Sequence, residues 1–322
     1  MAKYKVVITD YEYASIAAEL QILQEAGAET KALQLAGAPE AELAEALRDA
    51  DGILVQYARL TKNVIDSLER CRVISRYGTG VDMIDTAAAA ARGIPVCNVT
   101  NYCRHEVSSH ALALMLSLNR RLPGFSRQTR AGGWSLAPEA PFASPGDCTA
   151  GILGFGAIGR SLAEKLLPLC GRVLAWDKYV PAEAIAAAGC EAASFEQILS
   201  EADFLSLHMP LTPETRHIIG REALCAMKSS AILINVARGG LISEEDLVWA
   251  LETGRIAGAG LDVLEQEPPR KDHPLLRLPN CIVTPHMAWY SQGSLARVQA
   301  RAAKNIGDVL LGRPPQNCVF PL

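Results

Sequence analysis

A glycine-patterned turn near the middle of the chain constrains the fold more than any other feature. The apolar run TAGIL reads as a strand and is followed at once by Gly154-Phe155-Gly156-Ala157-Ile158-Gly159, after which RSLAEKLLPLC reads as a helix. In a strand–turn–helix of this kind the first glycine permits the tight turn and the second lets the backbone come close to a pyrophosphate. The third lets helix pack on strand. The helix start, through Ala157 and Ile158, offers N–H groups that no residue of the helix itself can use. Asp177 stands at the end of the next strand-like run, about 20 residues beyond the middle glycine. A carboxylate there bonds ribose hydroxyls and repels a 2′-phosphate, which points to NAD rather than NADP. Lys178 beside it leaves that preference open, and a structural turn with a solvated Asp is the ordinary alternative.

The same alternation runs through the whole chain. In the first third, short β-branched runs at 5–8, 53–56, 73–75 and 95–97 are separated by Ala/Leu/Glu-rich stretches. After a long helical segment at 104–121 and a Gly/Pro-rich stretch at 138–146, strand-like runs recur at 150–153, 172–176, 204–207, 231–235 and 257–261. Near-continuous apolar strands alternating with helices predict an α/β fold whose parallel sheets are covered on both faces. Two successive units of this kind predict two doubly wound domains with a cleft between them, the second of Rossmann type. A final helix spans 291–311.

Composition narrows the function. With 322 residues, 49% hydrophobic and 20% charged, the chain has the make-up of a globular protein with material for two cores. Its 31 basic and 35 acidic residues are interspersed, and no basic stripe of the kind that binds nucleic acid is visible. The N-terminus lacks a signal-peptide pattern, and the most apolar helical stretch, ALALMLSL, is far shorter than the roughly 20 residues that span a bilayer. The expectation is a cytoplasmic enzyme with no membrane or nucleic-acid partner. Nine scattered cysteines without a CxxC pair read as reduced, buried thiols, and no metal-ligand spacing occurs.

Three residues beyond the glycine turn carry chemistry. Arg238 follows a buried-looking strand within NVARGGLI, Glu267 follows another within GLDVLEQEP, and His286 follows the next within CIVTPH. In a parallel sheet all three fall at the carboxyl ends of strands, the edge where ligands bind. Reducing a 2-oxo acid needs a cation to hold the carboxylate and polarise the carbonyl, which the guanidinium fork supplies. It also needs a proton donor for the new alkoxide. A histidine near neutrality serves, with a glutamate stabilising its imidazolium, and the same histidine is the base in oxidation. Singly, each has an ordinary structural explanation; their joint placement behind a dinucleotide turn is what points to a hydride-transfer enzyme.

Taken together, GFGAIGR, SLHMPLTPETRHIIG, INVARGGLI, GAGLDVLEQEP and TPH resemble the D-isomer-specific 2-hydroxyacid dehydrogenases over nearly the whole length. RYGTGVDMID and TPHMAWYS, followed by GRPPQNCV, resemble the C-terminal-binding-protein branch of that family, which carries a Trp three residues after the catalytic His, here Trp289. The resemblance implies NAD as cofactor and a small D-2-hydroxy/2-oxo acid as substrate. It implies Arg238 as substrate anchor, Glu267 and His286 as the acid/base pair, and cofactor contacts at His208, Val236, Ala237 and Asp262. A carboxylate-binding loop falls at Gly78, Thr79 and Gly80, where glycines let successive N–H groups converge on an anion.

Arg76 either adds a second cation to that loop or makes a structural ion pair. Trp289 either walls the substrate side chain or packs in a core. Ser109 stands where relatives carry an acid, which leaves that acid's contact in doubt. His105, His110, His217 and His273 have no evident partners and read as structural or exposed. The resemblance further implies a discontinuous substrate domain, 1–100 plus 291–322, and an NAD-binding domain, 101–290. The segment from Arg104 then crosses the hinge, its apolar face forming the seam of a homodimer. A second class of function stays open, an NAD(H)-responsive binding protein, because corepressors of that branch keep the catalytic residues. The carboxylate at 267 argues against formate-type chemistry, where Gln is expected; a 3-phosphoglycerate substrate stays open.

Overall fold

The apolar runs form the strands of two parallel sheets in the computed structural model, which describes residues 2–136 and 142–319. Contacts divide the chain into two compact units, one of Met1–Tyr102 with Ser291–Leu322 and one of Cys103–Tyr290.

The first unit alternates β1 (Tyr4–Ile8), α1 (Ala17–Glu25), β2 (Ala28–Ala32), α2 (Glu40–Leu47), β3 (Gly52–Val55), α3 (Lys62–Asp66), β4 (Val73–Arg76), α4 (Thr86–Ala91) and β5 (Val96–Cys97). Its sheet order is β2-β1-β3-β4-β5, all parallel. The β1, β3 and β4 residues are almost wholly buried because helices cover both faces, which is why they read as unbroken apolar runs. No apolar run marks β2 (AETKA). It is an edge strand with all but its first residue partly or fully exposed, and an edge is free to be polar.

The second unit opens with α5 (Arg104–Asn119) and α6 (Leu122–Arg130). One helix running to 121 was expected, but Arg121 takes a left-handed φ of 47° and breaks it. The expected Gly/Pro-rich break at 138–146 lies partly outside the described residues. Then follow β6 (Thr149–Leu153), α7 (Ala157–Leu166), β7 (Arg172–Trp176), α8 (Ala182–Ala186), β8 (Glu191–Ala192), α9 (Phe195–Glu201), β9 (Phe204–Leu207), α10 (Arg221–Ala226), β10 (Ile232–Asn235), α11 (Glu244–Glu252), β11 (Gly258–Leu261) and β12 (Cys281–Val283). The parallel sheet runs β12-β11-β10-β9-β6-β7-β8. Strand order reverses between β6 and β9, and ligands of such sheets bind in the crevice outside that switch point.

The apolar stretch of α5 is covered only in part within its own unit, and Leu112, Leu116 and Leu118 stay half-buried. Ala111, Leu114 and Met115 are buried, and α5 packs on α7, β10 and β11. Small residues in β11 admit it: a Cβ on Gly260 would lie 3.0 Å from the Leu114 Cβ.

The last helix is α12 (Gln292–Leu310), opened by a Ser291–Ser294 capping box and packed on α1, β3 and β4 of the first unit. The approach is close: a Cβ on Gly52 of β3 would meet Ile306 Cγ2 at 2.9 Å. Among the described residues, no helix is long and apolar enough to cross a membrane.

Candidate active site

The turn after β6 has the shape its glycines predict. Gly154 has a φ of 96°, and a Cβ there would fall 2.6 Å from the His208 carbonyl carbon, so the turn lies directly against the end of β9. A Cβ on Gly159 would fall 2.1 Å from Gly154 O. Gly156 instead faces open space, with nothing within 4 Å of its would-be Cβ. It caps α7 without any side-chain hydrogen bond, whereas α9 and α11 are capped by Ser194 and Ser243. The first N–H groups of α7 therefore face an open surface with no capping side chain, as an anion-binding helix start requires.

Asp177 closes the other side of the turn. Its carboxylate accepts the Phe155 N–H at 2.7 Å and the Tyr179 N–H at 2.8 Å, which fixes its direction at the end of β7. The Arg160 guanidinium stacks over the Phe155 ring at 4.7 Å. Across the switch point, His208 Nε2 lies 2.8 Å from Ser206 Oγ. Burial of its ring pushes the His208 pKa down to about 4, so it is neutral at physiological pH.

Arg238 is delivered by a tight turn after β10. The buried Asn235 side chain accepts the Ala237 N–H at 3.1 Å and donates to Arg238 O at 2.8 Å. Gly239 is pressed on the next loop: a Cβ there would lie 2.0 Å from the Leu264 carbonyl carbon. That loop in turn holds Glu267, whose Oε1 accepts the Leu264 N–H at 3.0 Å. Its Oε2 lies 2.7 Å from His286 Nδ1.

A carboxylate only accepts, so His286 Nδ1 carries the proton of this bond and Nε2 is left for another partner. Partial desolvation works against the Glu267 charge. The His286 hydrogen bond and charge, the Leu264 N–H and Arg238 together outweigh it and hold the carboxyl below its usual range. The ionised form of Glu267 thus persists to lower pH than in an exposed glutamate. The pair's contribution, present above the ordinary carboxylate pKa of about 4.3, is lost only as pH falls through that lowered value.

His286 itself has a φ of 51°, a strained conformation for a residue with a side chain. Asp262, 1% exposed, holds it there. Its main-chain oxygen accepts the His286 N–H at 2.9 Å. Its carboxylate accepts the N–H groups of Met287 and Ala288 at 2.9 and 2.7 Å and the Thr284 hydroxyl at 2.5 Å. His110 on α5 completes this clamp, with Nε2 2.9 Å from Thr284 Oγ1. The single Thr284 proton is committed to Asp262, so His110 Nε2–H is the donor. Nothing in the sequence pairs residues 110 and 284, and this role for His110 is visible only in the fold.

Other expected residues settle as follows. Trp289 is half-buried, its ring 5.4 Å from that of Tyr290 in an edge-to-face contact. Ser109 is exposed. His217 and His273 have partners after all, Glu265 at 3.0 Å and Glu244 at 3.1 Å.

The pattern of the D-isomer specific 2-hydroxyacid dehydrogenase, NAD binding domain, matches residues 112–288. The chain belongs to this family. The 2-hydroxyacid dehydrogenase resemblance extends beyond that domain. The chain is 37% identical to the glycerate dehydrogenase of Methylorubrum extorquens over 86% of this chain and 88% of that one. It is also 37% identical to the D-3-phosphoglycerate dehydrogenase of Methanocaldococcus jannaschii over 98% of its length, but spans only 59% of that protein. The crystal structure of D-lactate dehydrogenase from Aquifex aeolicus complexed with NAD and lactic acid superposes with a TM-score of 0.89 at 29% identity, covering 98% of this chain and all of that one. The residues present suit the dinucleotide of this family: the open Gly156 surface, the uncapped α7 start and the fixed Asp177 carboxylate are what a pyrophosphate and a ribose need.

In the first unit, Arg76 ends β4, and Gly78, Thr79 and Gly80 follow it. Gly78 has a φ of 125°, and a Cβ on it would collide with Arg76 Nη1 at 1.9 Å, so the guanidinium lies across the loop. Thr79 Oγ1 donates to Val99 O at 2.9 Å and Asn98 Nδ2 donates to Thr79 O at 2.7 Å, which pins the loop to the segment after β5.

Proposed function

We propose that this chain is an NAD-dependent oxidoreductase that interconverts a small 2-oxo acid and its D-2-hydroxy acid. The observation that carries this reading is the 2.7 Å Glu267–His286 pair on the carboxyl edge of the sheet whose β6–α7 turn is shaped for a dinucleotide. Gly154, Gly156, Ala157, Ile158 and Gly159 form the backbone cradle for the pyrophosphate, and Asp177 takes the ribose hydroxyls. His208, Val236, Ala237 and Asp262 line the remaining cofactor surface. When bound, NAD supplies the hydride acceptor or, reduced, the donor.

Arg238 holds the substrate carboxylate and polarises the carbonyl. In reduction, His286 gives the proton on Nε2 to the carbonyl oxygen, and Glu267 stabilises the charge the ring carries beforehand. In oxidation the neutral ring takes the hydroxyl proton at the same atom. Residues 1–100 with 291–322 form the substrate domain, and 101–290 the NAD-binding domain. The N–H groups of Gly78, Thr79 and Gly80, with Arg76, bind the substrate anion. Trp289 selects for an apolar or uncharged substrate side chain.

The test is a panel of 2-oxo acids graded in size and charge, from pyruvate and hydroxypyruvate through phenylpyruvate to phosphohydroxypyruvate, followed by loss of NADH absorbance. Turnover with the uncharged members supports the reading. Tight NADH binding with no turnover of any member would instead identify an NAD(H)-responsive binding protein. Asp177→Ala should cut the NAD over NADP preference by tenfold or more, on the order of 1.4 kcal/mol; an unchanged ratio sinks the ribose role.

We further infer a homodimer, in which the surface at α6 joins the half-buried apolar residues of α5. No α6 residue is buried, and Leu122, Trp134 and Leu136 are 55%, 90% and 72% exposed. Exposed large apolar side chains such as these are costly in an isolated chain when they adjoin one another. Separately, a cavity of about 730 Å³ lies between α6, the end of α5 and the start of β10 and β11. Sedimentation should give twice the 34.5 kDa chain mass, and Trp134→Glu should lower it; a wild-type monomer at micromolar concentration refutes the dimer.

A further inference from the structure

Nine cysteines are spread through the chain without any local pairing motif. The fold nevertheless brings two of them, Cys97 and Cys318, face to face. Cys97 ends β5, the edge strand of the first unit's sheet. Cys318 bridges it as an antiparallel partner. The flanking hydrogen bond runs from the Val319 N–H to Val96 O at 2.8 Å. A bond between the residue before one cysteine and the residue after the other marks the non-hydrogen-bonded type of antiparallel pair. Cα atoms of such pairs are about 4.5 Å apart, and their side chains leave the same face at closest approach. Disulfides need Cα atoms about 4.4–6.8 Å apart. The two thiols are already in hydrogen-bond contact. By contrast, Cys71 and Cys148 donate to the carbonyl oxygens of Val73 and Ser144.

We propose that Cys97 and Cys318 are a redox-modifiable pair that closes to a cross-strand disulfide by exchange with a small-molecule disulfide such as oxidised glutathione. Cys318 is the point of entry because it is half-buried, whereas Cys97 is fully buried. Burial pushes the Cys97 thiol up to about 12, so it is a poor first nucleophile. The Cys318 thiolate attacks one sulfur of the oxidised glutathione. That S–S bond breaks, a glutathione thiolate leaves, and a mixed disulfide forms on Cys318. The Cys97 sulfur then attacks the Cys318 sulfur, passing its proton to the expelled glutathione thiolate. The two cysteines lose two electrons and two protons in all, and one glutathione disulfide becomes two glutathione thiols.

The bond would tie Asn317, Cys318 and Val319 to the strand that leads into Asn98, Val99 and Thr100. Thr100 Oγ1 already bonds Asn317 Oδ1 at 3.2 Å, and Asn98 and Val99 hold Thr79. Any effect on substrate affinity rests on the role proposed above for the Gly78–Thr79–Gly80 loop; the disulfide itself does not.

The full chain is incubated with oxidised glutathione and mapped without reduction after digestion with trypsin and chymotrypsin. Chymotrypsin cuts after Tyr102 and so separates Cys97 from Cys103, which share a tryptic peptide. The expected result is an intact mass lower by two hydrogen atoms, one linked peptide joining Cys97 to Cys318, and full recovery of both thiols with dithiothreitol. Cys318→Ser, at the half-buried position, should remove the link and leave Cys97 unmodified. The proposal falls if both cysteines are recovered as separate thiols, if Cys318 stops at the glutathione adduct, or if the link joins other cysteines. The mapping reads a covalent bond, so it stands or falls independently of any dehydrogenase assay.

Discussion

His286→Ala lowers kcat by about 10³-fold while leaving NADH affinity within a factor of two. General acid–base groups contribute about 10²–10⁴-fold, and the proposed role of this one is at the substrate oxygen. Its ring is also the hydrogen-bond partner of Glu267 at 2.7 Å. Truncation therefore removes the proton carrier and frees the carboxylate that served it. The variant folds, because the conformation at 286 is imposed by Asp262, Thr284 and His110, whose bonds go to main-chain groups and one another. Steady-state turnover with the best member of the 2-oxo acid panel, and NADH fluorescence titration, give the two readouts. A variant with near wild-type kcat would remove His286 from the reaction.

Arg238→Met should cost about 10³-fold in kcat/KM, the scale seen when a preorganised donor at a developing oxyanion is removed. Two contributions add. On the proposed role the substrate carboxylate loses its forked partner, and Glu267 loses one of the charges that hold its carboxyl low. Arg238→Lys keeps the charge but not the planar fork, so it should recover only a small part of the loss. If Lys restored full activity, the bidentate geometry would be irrelevant. If Met were harmless, Arg238 would be a structural residue of the β10 turn, where its Nη1 already donates to Ala237 O at 2.7 Å.

The legible and illegible parts of this chain divide along a physical line. Central strands such as β6, β9 and β10 are enclosed on both faces, so burial writes an unbroken apolar run that any reading recovers. The edge strands β2 and β8 carry polar, exposed residues and left no such trace. The break between α5 and α6 was equally silent, because an Arg at φ 47° is not a residue type that announces a left-handed turn. The apolar face of α5 was legible as apolar, but not what covers it. A helix face looks the same whether it meets a second copy or the glycine-thinned strand β11 of its own unit.

The site divides likewise. The glycine turn could be read because its constraint is local: the same few residues that make the turn need positive φ or the absence of a Cβ. Arg238, Glu267 and His286 stood out by residue type and by following apolar runs, and sequence determined that much. That Glu267 lies 2.7 Å from His286, that Asp262 and His110 clamp the loop carrying it, and that Cys97 faces Cys318 were decided only by tertiary structure. Each of these depends on strands and helices distant in sequence meeting in a particular order. Local patterning specifies which elements form, whereas packing of whole elements chooses their neighbours.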